Sequence, residues 1–358
     1  MKFWFKTVIL ITTFLIGLTF TSCSAKKDTK VEVDNIPKYS EVTVLENSNG
    51  SFNAFRVQDK TLNSIGTADN IREMSYNIKS SVYAQSINVL NGENSNKNVI
   101  DINASGKRTQ LKDFYSAIDL KLSDSGSKLA FRTFKSNSLE SAEGMKVYDI
   151  KNNKYLKLKS EVLISGNLYQ WIDENRIIYY GSIEGQKNSQ KIYVYDFNKD
   201  KEEVYLNDIN GTCIYFIAMK NGILILSRQR DTQQLYYYNI EDKISKNISN
   251  NISEIYKSIT KYKDGEVFFL GSEEGQTNAL YMFSNADFTL KRVTYDFPKN
   301  IDISSGLAVD SQENVYFCGM ENAEENNKKD VFMYDRKEGS LNLISTEEGN
   351  YSVYSETK

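Results

Sequence analysis

The chain has 358 residues, 40% apolar and 25% charged, with 24 Tyr and 18 Phe against only 2 Pro, a balance that argues against disorder and leaves room for a large core built from strands. Its net charge of −3 becomes more negative once a leader carrying Lys2 and Lys6 is removed, and that mild acidity argues against the basic face a nucleic-acid partner needs. There is no histidine, which removes Ser-His-Asp and Cys-His catalysis and His-based metal sites, while carboxylate-pair hydrolysis and oxygen-ligated calcium remain open.

At the N-terminus Lys2 and Lys6 precede an apolar run over residues 8–20, too short and wrongly flanked for a membrane span. Phe20-Thr21-Ser22-Cys23 follows and resembles the bacterial lipobox, in which small residues precede a cysteine that receives a diacylglycerol. The expected organisation is a lipoprotein signal peptide over 1–22, a lipidated Cys23 with a polar tether over 23–39, and one domain over 40–358. Two acyl chains on Cys23 give stable anchoring where one does not.

Along that domain one strand signature recurs, an alternating apolar and aromatic run ending in a small polar residue. Copies end at Gln58, Asn103, Asp149, Asp196, Asn239, Ser284 and Asp335, about 45 residues apart, the period of a four-stranded propeller blade. The expected fold is therefore all-β, a β-propeller of four-stranded blades. The terminal Asp or Asn closes the next turn with its own side chain. Before each signature stands a hairpin, as in Ala117–Phe131. Ser123-Asp124-Ser125-Gly126 followed by Leu129-Ala130-Phe131 resembles the core motif of the TolB-like (PD40, WD40-like) propeller repeat, with Asp124 where that family has Pro. Seven repeats are counted, and the family's usual six is the alternative. Closure is expected from pairing of the N- and C-terminal strands, with 31–34 or 351–354 filling the innermost place of the first blade. Cys213 and Cys318 fall in different repeats and are expected to be buried free thiols.

Antiparallel order places the second-to-third-strand loops and the between-blade loops at one end, and the short turns at the other. The longer loops, 91–98, 134–144, 181–190, 227–234 and 319–330, mark the first end as the partner face. Its candidates are Arg228 and Arg230, which also have acids beside them to pair with, and Glu184, Gln186, Glu274 and Gln276 in two copies of one Gly-Ser-x-Glu-Gly-Gln turn 90 residues apart. A shared glycine turn explains that echo equally. Trp171, on an innermost strand, is the channel candidate, with packing between blades as its other role.

No catalytic motif, cofactor site or metal site is recognised. The sequence points to a membrane-anchored extracytoplasmic scaffold that binds a protein, with a carboxylate- or calcium-dependent hydrolase or lactonase and a sensor or accessory subunit of an envelope complex as alternatives. Its Lys, Asn, Ile and Tyr bias points to an AT-rich genome and to the outer leaflet of a Gram-positive cell membrane.

Overall fold

The computed structural model describes residues 38–48, 51–89, 96–260, 265–321 and 328–357. The leader, Cys23, most of the tether and the candidate strand at 31–34 lie outside them. The described chain forms seven antiparallel sheets, each with the strand order of a propeller blade. Seven blades is the outcome, not six. The only helical element among the described residues is a 3-10 turn at Leu139–Ser141.

Blade 1 joins the first and last described strands. Its innermost strand is Tyr351–Ser355, paired antiparallel with Val42–Ser48, which pairs in turn with Ser51–Gln58. Blades 2 to 6 run in chain order from the channel outward, beginning with Ile71–Asn77, Ser116–Leu122, Val162–Trp171, Thr212–Met219 and Ile252–Ile259. All seven repeat signatures lie on third strands, and four of the five that end in Asp or Asn close the following turn as expected. Asp149 Oδ1 accepts from Asn152 N at 2.9 Å, Asp196 Oδ1 from Asn198 N at 2.9 Å, Asn239 Oδ1 from Glu241 N at 2.9 Å and Asp335 Oδ1 from Glu338 N at 3.0 Å.

The second strands explain the apolar runs in the sequence. Ile177–Tyr180, Ile223–Leu226, Val267–Leu270 and Val315–Cys318 are buried without interruption, because each strand has a neighbouring blade on both faces. Apolar clusters fill the seams from blade 2 round to blade 1. The seam between blades 1 and 2 is built differently: Tyr39, Tyr76 and Tyr83 pack with centroids 5.6 to 6.3 Å apart, and Tyr76 Oη donates to Ser40 O at 2.7 Å. Cys213 in blade 5 and Cys318 in blade 7 are buried free thiols, and burial pushes the Cys318 thiol up to about 12.

Blade 7 departs from the repeat. Its innermost strand is reduced to Asn300–Ile301 and Ala308–Val309, with a loop between. Side chains hold that loop. Buried Lys329 is ion-paired with Asp302 and donates to Ser305 Oγ at 2.6 Å, and Ser305 O accepts from Val353 N of blade 1 at 2.7 Å. Gly306 has φ +95, and a Cβ there would stand 2.3 Å from Val353 O, so only glycine lets blade 1 approach this closely.

Burial raises the Asp302 carboxyl, but its bonds with Lys329, Ser304 and Ser305 more than offset this and bring it down to about 2. A depressed carboxyl stabilises the fold above its unfolded value of 3.8 and loses that contribution as pH falls from there through about 2. Asp302→Asn strands a buried ammonium and should cost about 3–5 kcal/mol in urea unfolding at neutral pH. The variant should also lose stability less steeply than wild type between about pH 4 and about pH 2.

Candidate functional site

An innermost strand has a ladder on one edge only, and its other edge faces the channel. In blades 2 to 6 these strands are also bulged: between Ile71 and Glu73, Ile118 and Lys121, Ile164 and Tyr169, and Cys213 and Tyr215, and twice in Ile252–Ile259. A bulge leaves backbone groups unpaired, and leaving them so would cost stability. Side chains of the neighbouring blade supply the partners. Glu73 of blade 2 accepts from Asp119 N at 2.8 Å and Leu120 N at 3.0 Å in blade 3, where Asp119 sits at φ 61. Ser75 Oγ accepts from Leu122 N at 3.2 Å. Lys121 of blade 3 donates to Tyr169 O at 2.6 Å and Asn167 O at 3.3 Å in blade 4. Gln170 of blade 4 accepts from Ala218 N of blade 5 at 3.0 Å.

These strands line a cavity of about 790 Å³, within the range of small-molecule sites, whose wall includes Glu73, Asp119, Lys121, Trp171, Lys257 and Glu356. It occupies the half of the channel nearer the short turns, because its lining follows the innermost strands to their ends at Leu122, Trp171, Met219 and Ile259. Its charged centre combines residues of three blades. Asp119 is held by Arg132 (2.9 and 3.1 Å). Burial raises the Glu73 carboxyl and the negative Asp119 adds to the rise, against the pull of Lys257 and the two backbone N–H groups. Burial lowers the Lys121 ammonium to about 8, with Lys257 lowering it further and Asp119 and Glu73 opposing. Lys121 Nζ also lies 4.6 Å from the centroid of the Tyr169 ring. Both carboxylates are thus occupied, Glu73 by backbone donors and Asp119 by a guanidinium.

Trp171 does line the cavity, and it packs between blades as well, with Nε1 donating to Lys121 O at 2.9 Å. The two copies of the glycine turn adopt one geometry. Gln186 N bonds Ile183 O at 3.2 Å and Gln276 N bonds Glu273 O at 3.0 Å, with Gly185 at φ 76 and Gly275 at φ 71. Glu184, Gln186 and Glu274 are exposed at the long-loop end; Gln276, also exposed, accepts from Arg292. The stretch 227–234 is not a long loop. Gly222–Gln229 and Thr232–Asn239 pair through to Gln229 opposite Thr232, leaving a turn of Arg230 and Asp231. Arg228 and Arg230 are exposed there, and among the described residues neither is ion-paired with Asp231 or a glutamate. Residues 90–95 and 322–327 of the other loops lie outside the described chain. Glu73, Asp119, Lys121 and Lys257 are the residues sequence reading missed. Among the described residues no three His, Cys, Asp or Glu side chains group as a metal site.

If Glu73 serves chiefly as an acceptor for the bulge, Glu73→Ala should lower unfolding stability by about 2 kcal/mol, the cost of stranding buried donors. Glu73→Gln should recover part of that loss in the same urea titration, since its amide oxygen still accepts one bond.

No family model matches the chain, and no curated protein matches it by sequence. Solved structures do. An uncharacterized protein, lmo1340 of Listeria monocytogenes EGD-e, is 12% identical with a TM-score of 0.55, over 86% of this chain and 92% of that one. The β-propeller domain of the Trilobed protease of Pyrococcus furiosus, described as having an open velcro topology, is 16% identical with a TM-score of 0.55, over 85% and 94%. TolB of Acinetobacter baumannii is 11% identical with a TM-score of 0.44, over 87% and 82%. At such identities the likeness is one of fold. The described chain is a seven-bladed β-propeller, closed through a blade that its first and last described strands share.

Proposed function

We propose that this protein is a lipid-anchored, extracytoplasmic scaffold that holds a protein partner on its long-loop face. The observation that carries this reading is that four of the eight large apolar side chains exposed among the described residues stand at that end, while Tyr155, Val204, Ile244 and Leu343 are single residues on four separate outermost strands. Leu139 (82%), Leu163 (59%), Tyr295 (63%) and Phe297 (47%) all belong to second-to-third-strand or between-blade segments at that end, or to the start of an innermost strand there. Apolar groups held out on a rigid end of a closed ring suit a contact surface. The scaffold reading is also favoured over the hydrolase because Glu73 and Asp119, the carboxylates that meet in the channel, already serve as acceptors within the fold. The raised Glu73 carboxyl is the observation that favours a hydrolase instead, and that reading requires Glu73 to exchange its backbone donors for substrate.

The anchor and the partner are tested separately. Cys23→Ala should move the protein from the membrane fraction to the medium; retention in the membrane would remove the lipid anchor. A photo-crosslinking side chain placed at position 139, 163 or 297 in cells should capture a discrete adduct, and one at Val204 or Ile244, exposed on outermost strands, should not. Equal capture at both sets would overturn the assignment of the face.

A further inference from the structure

The cavity has a chemistry that the scaffold reading does not use. Lys257, on the innermost strand of blade 6, is exposed into it and makes no hydrogen bond or ion pair among the described residues. It is nonetheless near enough to Glu73 of blade 2 and Lys121 of blade 3 to act on both through space. The cavity wall also carries Asp124, Glu356, Arg176 and Lys220; at its charged centre Lys121, Lys257 and Arg132 face Glu73 and Asp119. Both carboxylates are engaged. Of the cations, Arg132 holds Asp119, Lys121 spends two of its three donors on carbonyls, and Lys257 spends none. Around this centre the wall carries the rings of Tyr169, Trp171, Tyr215 and Tyr256. Unspent ammonium donors beside flat aromatic faces suit one kind of guest.

We propose that the channel cavity binds a small monocarboxylate with a flat, ring-shaped body, its carboxylate between Lys257 and Lys121 and its ring against the tyrosines. The site is independent of the partner face. The guest's carboxylate gives Lys257 a counterion, and it favours the protonated form of Lys121.

Lys121 faces Asp119 on its own strand, Arg132 on the next, Glu73 in blade 2, Tyr169 in blade 4 and Lys257 in blade 6. Burial holds its ammonium at about 8, so affinity should be highest below that pH and fall as pH rises through it.

The test is fluorine NMR of 4-fluorobenzoate against the full chain in detergent. Saturable broadening is expected, weakening as pH is raised from about 7 to about 9, with 4-fluorobenzyl alcohol binding at least about tenfold more weakly. Lys257→Met should weaken 4-fluorobenzoate about tenfold with an unchanged thermal midpoint, Lys257→Arg should retain it, and Lys291→Met on an outermost strand should behave as wild type. Absence of saturable binding, equal affinity for the alcohol, or undiminished affinity in folded Lys257→Met overturns the proposal. Should Lys257→Met fail to fold, the alcohol comparison and the pH series on wild type decide it.

Discussion

Each blade of this ring ends at the channel in a strand with one edge unpaired, and everything central to the molecule follows from how those edges are satisfied. No ladder crosses from blade to blade; single backbone bonds such as Val353 N to Ser305 O (2.7 Å) join blade 1 to blade 7, and from blade 2 to blade 5 side chains supply the bonds at the channel. Glu73 reaches the bulge of blade 3, Lys121 the bulge of blade 4, and Gln170 the innermost strand of blade 5. At the short-turn end the same device recurs. Glu356 accepts from Ile78 N at 3.0 Å, Asn77 donates to Asp124 O at 2.8 Å, and Glu174 accepts from Ser125 N at 2.6 Å. Apolar clusters hold the blades together farther out, but they are non-directional. These bonds fix the angle at which one blade meets the next.

The same groups give the channel its chemistry. Charged side chains that complete a neighbour's backbone cannot leave without stranding donors or carbonyls, so the channel wall is preorganised by folding itself. Blade 7 shows the limit of the device. Where its innermost strand breaks, a buried ion pair, Lys329 with Asp302, takes the strand's place. Replacing a ladder by an ion pair makes that part of the ring sensitive to acid in a way the hydrogen-bonded blades are not.

How much of this the sequence disclosed depends on how local the physics is. Third strands were legible because Asp149, Asp196, Asn239 and Asp335 close turns with their own side chains, a signal complete within a few residues. The period then yields the blades. The channel centre was not legible. Glu73, Asp119 and Lys257 stand 46 and 138 residues apart in the chain, and bulges at each of them break the two-residue alternation that would have marked them as inward-facing. Residues 227–234 misled for the opposite reason. Polar composition reads as a loop, yet exposed ladder residues need no apolar side chains, and Arg228 pairs opposite Gln233 in regular register. The interruption of blade 7 has no counterpart in its sequence pattern, because a lysine 27 residues beyond Asp302 supports it.

The shared first blade has a mechanical meaning. The described chain enters at Lys38 and passes at once into Val42–Ser48, a strand bonded along both sides, to Ser51–Gln58 and to Tyr351–Ser355. Tension applied through the preceding residues is directed along this strand. It must shear two ladders together instead of peeling one bond at a time from an edge. An outermost strand such as Ile244–Ser249, bonded on one side only, would yield far sooner. The blade that closes the ring is therefore also the point where the propeller can best carry a load.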